Sequence, residues 1–233
     1  MAAITLRDIK FRWQAGQALT LDIDRLEVAQ GERLFLYGPS GSGKSTLLNL
    51  LAGIVEPEQG EVLCVGHELG GLSNRALDRY RADHVGMIFQ QFNLVPYLSV
   101  LDNVLLPCHF STRRRKKAEV SGSIRDEARR RLRQLGLGSE AWVQQVTRLS
   151  VGQQQRVAAA RALIGQPELI IADEPTSALD SERRAAFLEL LVAECEVLGS
   201  TLLFVSHDLS LTGYFTRTES MTQLNRAGQE HAP

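Results

Sequence analysis

Three short stretches of the chain are apolar at almost every position. They are RLFLYG at 33–38, ELIIADE at 168–174 and TLLFVSH at 201–207. Continuous apolar runs of this length are typical of parallel strands covered on both faces, whereas half-exposed strands alternate. Each run ends in a glycine or a polar group, and open α/β sheets bind ligands beyond the carboxyl ends of their strands. The pattern therefore predicts one shared site at these three strand ends.

Alternation does occur near the start of the chain, in ITLRDIKFRW (4–13) and ALTLDIDRLEV (18–28). These two segments predict a half-exposed antiparallel hairpin or edge sheet. Helices are predicted at 45–53 and 181–199, because both segments have helical patterning and stop at a glycine. One face of the second helix is expected to carry Phe187, Leu191, Cys195 and Leu198.

Between 93 and 156 the pattern becomes mostly helical. Segments 93–107 and 123–138 both resemble helices. The second has an apolar stripe formed by Ile124, Ala128, Leu132 and Leu135. We therefore expect one domain spanning 1–233, divided into a core at about 1–92 and 157–220, a helical subdomain at about 93–156 and a tail at 221–233.

Composition narrows the class of protein. The 233 residues suffice for one well-buried domain. The 26 basic residues are balanced by 27 acidic ones, which argues against a general nucleic-acid binder because such proteins carry a strongly basic surface. No apolar run approaches the roughly 18 to 20 residues that cross a bilayer, and the first ten residues lack a secretory-signal pattern. Three separated cysteines predict buried thiols in a reducing cytosol: Cys64, Cys108 and Cys195.

The run RRRKK at 113–117 is the most basic segment of the chain. It is predicted to lie in an exposed loop. Two interpretations of that loop remain open, simple solvation of its charges or contact with anionic lipid headgroups.

The segment GPSGSGKST at 38–46 matches G-x-x-x-x-G-K-[ST], follows a predicted strand and opens a predicted helix. Its glycines let the main chain curl closely around an anion, which the successive N–H groups and the positive end of the helix attract. Lys44 can reach the β- and γ-phosphates, and the Ser45 hydroxyl can bind Mg²⁺. The context favours a nucleotide-phosphate site over a Gly/Ser turn with a stray lysine.

Acidic groups follow the second apolar run. Asp173 is placed to hold Mg²⁺ directly or through water, and Glu174 to orient and deprotonate an attacking water. The alternative is a pair of carboxylates in a turn before Pro175. His207, the last residue of the third run and two residues past its apolar part, is placed to contact a γ-phosphate, an interpretation that depends on the other two motifs.

The segment LSVGQQQRVAAARAL at 149–163 predicts a second helix N-terminus. Ser150 is a good N-cap and Gln153 lies three residues later, which forms a capping box. High helix propensity follows, and the helix is expected to end at GQP (165–167). Free N–H groups at a helix start form an anion site. Because the chain already has one phosphate cradle, we expect this one to bind the γ-phosphate held by a partner subunit.

Together these motifs resemble those of the ATP-binding subunits of ABC transporters, in the family's order and over about residues 4–210. LSVGQ is similar to the family signature, usually LSGGQ; segment 38–46 resembles its Walker A and LIIADE (169–174) its Walker B. The other matches are SALD at 177–180 (D-loop), Gln90 (Q-loop), His207 (switch histidine) and Trp13 (the aromatic that stacks on adenine).

The resemblance implies an α/β fold: a P-loop NTPase (RecA-like) parallel-sheet core, an antiparallel N-terminal β-subdomain and an inserted α-helical subdomain. It also implies ATPase activity, with ATP and Mg²⁺ bound. The implied catalytic residues are Glu174 and His207, and the implied metal ligands are Ser45, Gln90 and Asp173. The implied nucleotide-binding residues are Trp13, Gly38, Pro39, Ser40, Gly41, Ser42, Gly43, Lys44, Ser45, Thr46, Gln90, Ser150, Gly152 and Gln153.

The implied partners are a second ATP-binding subunit, as a head-to-tail homodimer around two ATP molecules, and a separate integral membrane permease. The permease's coupling helices would dock on the helical insert and the Q-loop region. The subunit would be cytoplasmic, peripheral on the inner membrane through the permease, and would bind no nucleic acid. Segments 88–107 and 149–181 look most like the macrolide-exporter and lipoprotein-release branch, which indicates export or extraction of a substrate from the membrane.

Two features depart from the family pattern. Val151 replaces the first signature glycine, and we expect it to be tolerated because a first helical residue has negative φ. The tail ESMTQLNRAG at 219–228 follows the family's final strand and turn only loosely. A DNA-repair or ribosome-associated ATPase is disfavoured, because the chain has no long coiled-coil insert and no tandem cassette. An ATP-dependent regulator of a membrane partner in cell division or cell-wall remodelling remains an alternative.

Overall fold

The computed structural model describes residues 1–120 and 122–227. Its strands are β1 (Ala2–Phe11), β2 (Leu21–Ala29), β3 (Arg33–Tyr37), β4 (Gln59–Cys64), β5 (His67–Glu68), β6 (Val85–Ile88), β7 (Leu169–Asp173), β8 (Thr201–Val205) and β9 (Arg217–Ser220). Its helices are α1 (Lys44–Leu51), α2 (Asn74–His84), α3 (Val100–Phe110), α4 (Thr112–Glu119), α5 (Ile124–Gln134), α6 (Val151–Leu163), α7 (Ser181–Leu198) and α8 (Met221–Leu224).

The central layer is a five-stranded parallel sheet in the order β6-β7-β8-β3-β9. Successive side chains of a strand point to opposite faces, and here both faces are covered. In β3, Phe35 joins a hydrophobic cluster with α3, α5, α6 and α7, while Leu34 and Leu36 join a second cluster with α1 and the antiparallel sheet. All three side chains are fully buried. Two-sided burial explains why the three strands predicted from the sequence are apolar throughout.

The second sheet is four-stranded and antiparallel, in the order β2-β1-β4-β5. The pairing of β1 with β2 runs from Ala2 opposite Ala29 to Phe11 opposite Leu21. Its apolar face packs on α1 and the parallel sheet, which agrees with the alternation in the sequence. The architecture is the predicted α/β fold, with a parallel core, an antiparallel N-terminal sheet and a helical insert.

Helix α7 ends as the sequence predicts. Gly199 caps it in the left-handed region, at φ 63°. Phe187, Leu191 and Cys195 are buried on its inner face, and Leu198 packs against the same cluster.

The predicted burial of the cysteine thiols is confirmed. The three thiols are free and buried, and burial raises the pKa of Cys64 and Cys195 to about 12. These side chains therefore act as small apolar groups at neutral pH.

The helical insert differs from prediction at its start. Segment 93–107 is helical only from Val100, where α3 begins. Ser99 caps this helix by accepting a hydrogen bond from the main-chain N–H of Asp102 at 3.1 Å. Pro96 lies in the preceding loop, and a proline restricts the residue before it to extended conformations. The predicted stripe on α5 is present, since Ala128, Leu132 and Leu135 are fully buried.

The prediction of an exposed loop at 113–117 is wrong. The run lies in α4, capped by Ser111, and Arg114 is only 2% exposed. The Arg114 guanidinium donates to the main-chain carbonyls of Ile164 at 2.7 Å and Ala162 at 2.5 Å. Arg113 and Lys117 form ion pairs with Glu168. Arg113, Arg114 and Lys117 therefore hold α4 against the end of α6 and the start of β7, whereas Arg115 and Lys116 are exposed.

Helix α6 passes through position 156, so the boundary proposed there lies inside a continuous helix. Before the predicted tail, β9 joins the parallel sheet beside β3, and the described part of the tail, 221–227, begins with α8. The rest of the predicted tail, 228–233, lies outside the described residues. None of the helices within 1–120 and 122–227 has the length and apolarity needed to cross a membrane.

Candidate functional site

The turn between β3 and α1 forms the predicted phosphate loop. Gly41 and Gly43 adopt positive φ, at 79° and 97°, a region that glycine enters without steric cost. A Cβ on Gly43 would lie 2.9 Å from Leu21 Cδ2 and 3.0 Å from the Thr20 carbonyl oxygen. This loop therefore needs glycine both for its curvature and for its close approach to β2.

Lys44 stands at the start of α1 with only 8% of its surface exposed. Its Nζ donates to the carbonyl oxygens of Gly38 at 2.7 Å and Pro39 at 2.8 Å. The ammonium group is thus folded over the loop. The positive charge and the N-terminus of α1 act on the same small volume, which favours an anion there.

Asp173 ends β7 and faces the phosphate loop. The Ser45 hydroxyl donates to Asp173 Oδ2 at 3.4 Å. Burial, and then the neighbouring Glu174 charge, raises the pKa of Asp173, while the Ser45 contact and Lys44 act in the opposite direction. A hydroxyl and a carboxylate oxygen are ligands that Mg²⁺ prefers, so these two residues fit a magnesium ion.

Glu174 is held in an unusual backbone conformation, with φ 42°. Its main-chain N–H donates to the carbonyl oxygen of Val205, the last residue of β8, at 3.0 Å. Its Oε2 lies 3.2 Å from Nδ1 of His207. A glutamate beside an exposed histidine, next to a phosphate loop, can bind, orient and deprotonate a water molecule.

A cleft of about 680 Å³ collects these groups. It is lined by Trp13, Gln90, Asp173, Glu174, His207 and every residue of 38–46 except Ser42. Trp13 is 55% exposed and packs edge-on against Phe11, with ring centroids 5.2 Å apart. Its ring is therefore a cleft wall rather than part of the core. The three strand ends predicted to share a site do so.

Sequence reasoning missed two residues at this cleft. Thr20 lines it, and Asn225 donates to the main-chain carbonyls of Thr20 at 2.9 Å and Ser42 at 3.0 Å. Ser42 itself lies outside the cleft lining and presents that carbonyl to Asn225. Contacts made through the main chain leave no pattern in the sequence, so no motif could have indicated them.

Ser150, Gly152 and Gln153 form a separate group. The Ser150 hydroxyl accepts from the main-chain N–H of Gln153 at 3.3 Å, and Gln153 Oε1 accepts from the N–H of Ser150 at 2.9 Å. The predicted capping box is present, and α6 begins at Val151. None of the three is among the described residues that line the cleft of the same chain. The predicted second helix N-terminus is therefore formed, but it does not line the nucleotide cleft of its own chain.

Comparison with known proteins agrees with this geometry. The family model described as ABC transporter matches residues 21–177. YbbA of Escherichia coli (strain K12), an uncharacterized ABC transporter ATP-binding protein, is 44% identical over 186 residues, covering 80% of this chain and 78% of YbbA. Macrolide export ATP-binding/permease protein MacB 1 of Aeromonas hydrophila subsp. hydrophila is 43% identical over 187 residues, covering 80% of this chain and 28% of MacB 1.

MJ0796 of Methanocaldococcus jannaschii, another uncharacterized ABC transporter ATP-binding protein, is 36% identical over 221 residues, covering 92% of this chain and 91% of that protein. A solved dimeric structure of the MJ0796 cassette, in a post-hydrolysis state bound to ADP and Pi, superposes with a TM-score of 0.81 at 35% identity and covers 93% of each chain. The predicted family is thus confirmed by sequence and by fold. The chain belongs to the ABC transporter family, as an ATP-binding cassette whose reaction is ATP hydrolysis coupled to transport.

Proposed function

We propose that two copies of this chain pair head-to-tail around two ATP molecules and power a separate membrane permease. The observation that carries the proposal is the division of the phosphate-binding elements. The phosphate loop, Glu174 and His207 share one cleft, whereas the capped N-terminus of α6 lies outside it. A second copy, turned head-to-tail, would place its α6 N-terminus over the γ-phosphate. The dimeric MJ0796 cassettes support this arrangement.

In the closed pair, each residue has a chemical task. Main-chain N–H groups of 38–46 and the Lys44 ammonium would bind the β- and γ-phosphates, with Lys44 exchanging its carbonyl partners for phosphate oxygens. Ser45, Gln90 and Asp173 would hold Mg²⁺, which supplies charge neutralisation at the phosphates when bound.

Glu174 would take a proton from the attacking water, and His207 would hold the γ-phosphate in line. The exposed face of Trp13 would stack on adenine.

The permease is expected to dock on a groove of about 740 Å³ between α2, β6, α3 and α6. Phe110, on its rim, is 78% exposed, and exposed aromatic side chains are enriched at protein interfaces. MacB 1 is named as a macrolide export protein with an ATP-binding part and a permease part, which supports export or extraction as the direction of transport. The cassette would then lie on the cytoplasmic face of the membrane, held there by the permease.

Pairing is tested by the dependence of ATPase rate on protein concentration. At low concentration the total rate is expected to rise with the square of the chain concentration, so that the rate per chain rises in proportion to concentration. The rate per chain is expected to become constant once nearly all chains are paired. The comparison sample is a tandem fusion of two copies, whose rate per chain is expected to be independent of concentration. Equal rates per chain for dilute and concentrated single copies would overturn the proposal.

The permease is tested by capture from membranes. A tagged Glu174→Gln chain with ATP is expected to retain an integral membrane protein, and Phe110→Ala is expected to release it. Capture of a cell-wall enzyme's membrane regulator, in place of a transport permease, would favour the alternative of a regulatory ATPase.

A further inference from the structure

The two walls of the nucleotide cleft come from different sheets. Trp13 and Thr20 lie in the connection between β1 and β2 of the antiparallel sheet, whereas the phosphate loop follows β3 of the parallel sheet. We call these the base wall and the phosphate wall. A nucleotide that touches both must find them at the right separation, because misplacement of reacting or binding groups by about 1 Å weakens their action strongly.

The end of the chain passes beside both walls. Strand β9 pairs with β3 up to Tyr37 opposite Ser220, so the chain leaves the sheet next to the start of the phosphate loop. Met221, which follows, is fully buried. A Cβ added to Gly38 would lie 2.9 Å from Met221 Cβ, which shows how closely α8 approaches the loop.

Asn225, just after α8, joins the two walls. It is 5% exposed. Its Nδ2 donates to the Thr20 carbonyl of the base wall at 2.9 Å and to the Ser42 carbonyl of the phosphate wall at 3.0 Å. Its Oδ1 accepts from the main-chain N–H of Asp22, at the start of β2, at 2.8 Å. One planar amide supplies two donors and an acceptor in fixed relative positions, which few side chains can do.

We propose that Asn225 is a positioning residue that sets the separation of the base wall and the phosphate wall and thereby the affinity for ATP. The proposal rests on the proposed function, since it requires adenine at the base wall. Asn225 reaches the nucleotide only through main-chain groups of other residues. Its substitution therefore acts on ligands that span both walls and spares ligands that touch the phosphate wall alone.

The test compares two ligands on the same variants. Dissociation constants are measured by calorimetry for a non-hydrolysable ATP analogue, which spans both walls, and for inorganic tripolyphosphate, which contacts only the phosphate loop. Asn225→Ala removes the hydrogen bonds to Thr20, Ser42 and Asp22, together with the one that Oδ1 accepts from the N–H of Ala227 at 3.2 Å. Asn225→Asp keeps the size and the acceptor but turns a carboxylate oxygen toward two carbonyl oxygens. Both variants are expected to raise the dissociation constant of the ATP analogue at least about fivefold, and to change that of tripolyphosphate less than about twofold.

Arg226→Ala is the matched control. It removes the neighbouring side chain and its ion pairs with Asp22 and Asp24, but leaves the Asn225 amide in place. Both dissociation constants are expected to stay at the wild-type values. If the alanine variant at 225 does not fold, the isosteric aspartate variant carries the test.

Two results would overturn the proposal. Equal weakening of both ligands would mean that Asn225 shapes the phosphate loop alone, and unchanged binding of both would give it a purely structural role. Trp13→Ala, measured in the same way, reports on the proposed function separately. If it leaves the analogue's affinity unchanged, the adenine contact is refuted, whereas a selective effect at Asn225 still supports the link through Thr20.

Discussion

Asp173 and Glu174 are neighbours in the chain but differ in their surroundings. Asp173 is partly buried against Ser45, and burial together with the Glu174 charge raises its pKa. Glu174 turns away from it through a positive φ and faces His207. Two adjacent carboxylates can thus serve different purposes, one for a metal ion and one for a proton.

Glu174→Gln is expected to lower kcat for ATP at least about a hundredfold, because the amide cannot accept a proton from water. ATP binding is expected to persist, since the phosphate loop is unchanged. Both are checked by single-turnover hydrolysis and equilibrium binding of ATP. The control is Glu119→Gln on the exposed end of α4, which is expected to keep wild-type turnover. Rapid multiple turnover by the Glu174 variant would remove this residue from the base role.

Val151→Gly is expected to change the ATPase rate less than tenfold, or about 1.4 kcal/mol in activation free energy. Val151 is the first residue of α6, where main-chain N–H groups have no partner within the helix, and it is 47% exposed. It is not among the described residues with positive φ, so its backbone conformation does not require glycine. Val151→Ala removes the two methyl groups without the flexibility of glycine and serves as the comparison. A gain above tenfold in the glycine variant would show that valine impairs the signature.

At the scale of helices, strands and loops, the sequence predicts those features whose residues lie close together in the chain. The capping box of α6 is visible in the spacing of Ser150 and Gln153, and the phosphate loop in its glycines. Arg114 and Asn225 could not be found in this way, because their partners are main-chain carbonyls contributed by distant segments. The basic composition of 113–117 predicted an exposed segment. In the structure, Arg114 of this segment is buried and donates hydrogen bonds to main-chain carbonyls at the end of α6. Hydrogen bonding to the main chain overrides composition at such positions.

Helix α5 is held to α7 by a buried charge network. Arg131 is 1% exposed and forms ion pairs with Glu127 on its own helix and Glu194 on α7. Taking one partner from a buried network leaves uncompensated charge, which costs more than the loss of an exposed pair. This contact therefore fixes the helical insert against the core.

Arg131→Met is expected to lower the free energy of unfolding by about 3 kcal/mol, because Glu194 stays buried without a cation and Glu127 keeps only its pair with the more exposed Arg130. Arg129→Met, on the same helix but in an exposed pair with Asp126, is the control and is expected to cost less than about 1 kcal/mol. Urea unfolding curves measure both. Similar midpoints for the two variants would mean that the network contributes nothing beyond an ordinary surface pair.

At the scale of the whole molecule, the proposed pair requires each chain to present two complementary surfaces. One is the nucleotide cleft and the other is the start of α6. Gly152, on the second surface, has room for a side chain, since a Cβ there would have only Leu179 Cδ2 near it, at 3.7 Å. Gly152→Asp therefore places a negative charge at the phosphate approach without disturbing the fold. Lys44→Ala disables the other surface.

Mixing these two inactive variants is expected to restore activity. Half of the pairs formed at random contain one chain of each kind, and each such pair has one site with an intact cleft and an intact α6 start. About one quarter of the wild-type sites are therefore recovered, because the symmetry of the pair gives two sites per dimer. Mixing Lys44→Ala with Glu174→Gln is the control, since both changes lie on the cleft surface and every site in a mixed pair keeps one of them. No recovery in the test mixture would show that each chain completes its own reaction centre, and recovery in the control would show that Lys44 and Glu174 do not act at the same site.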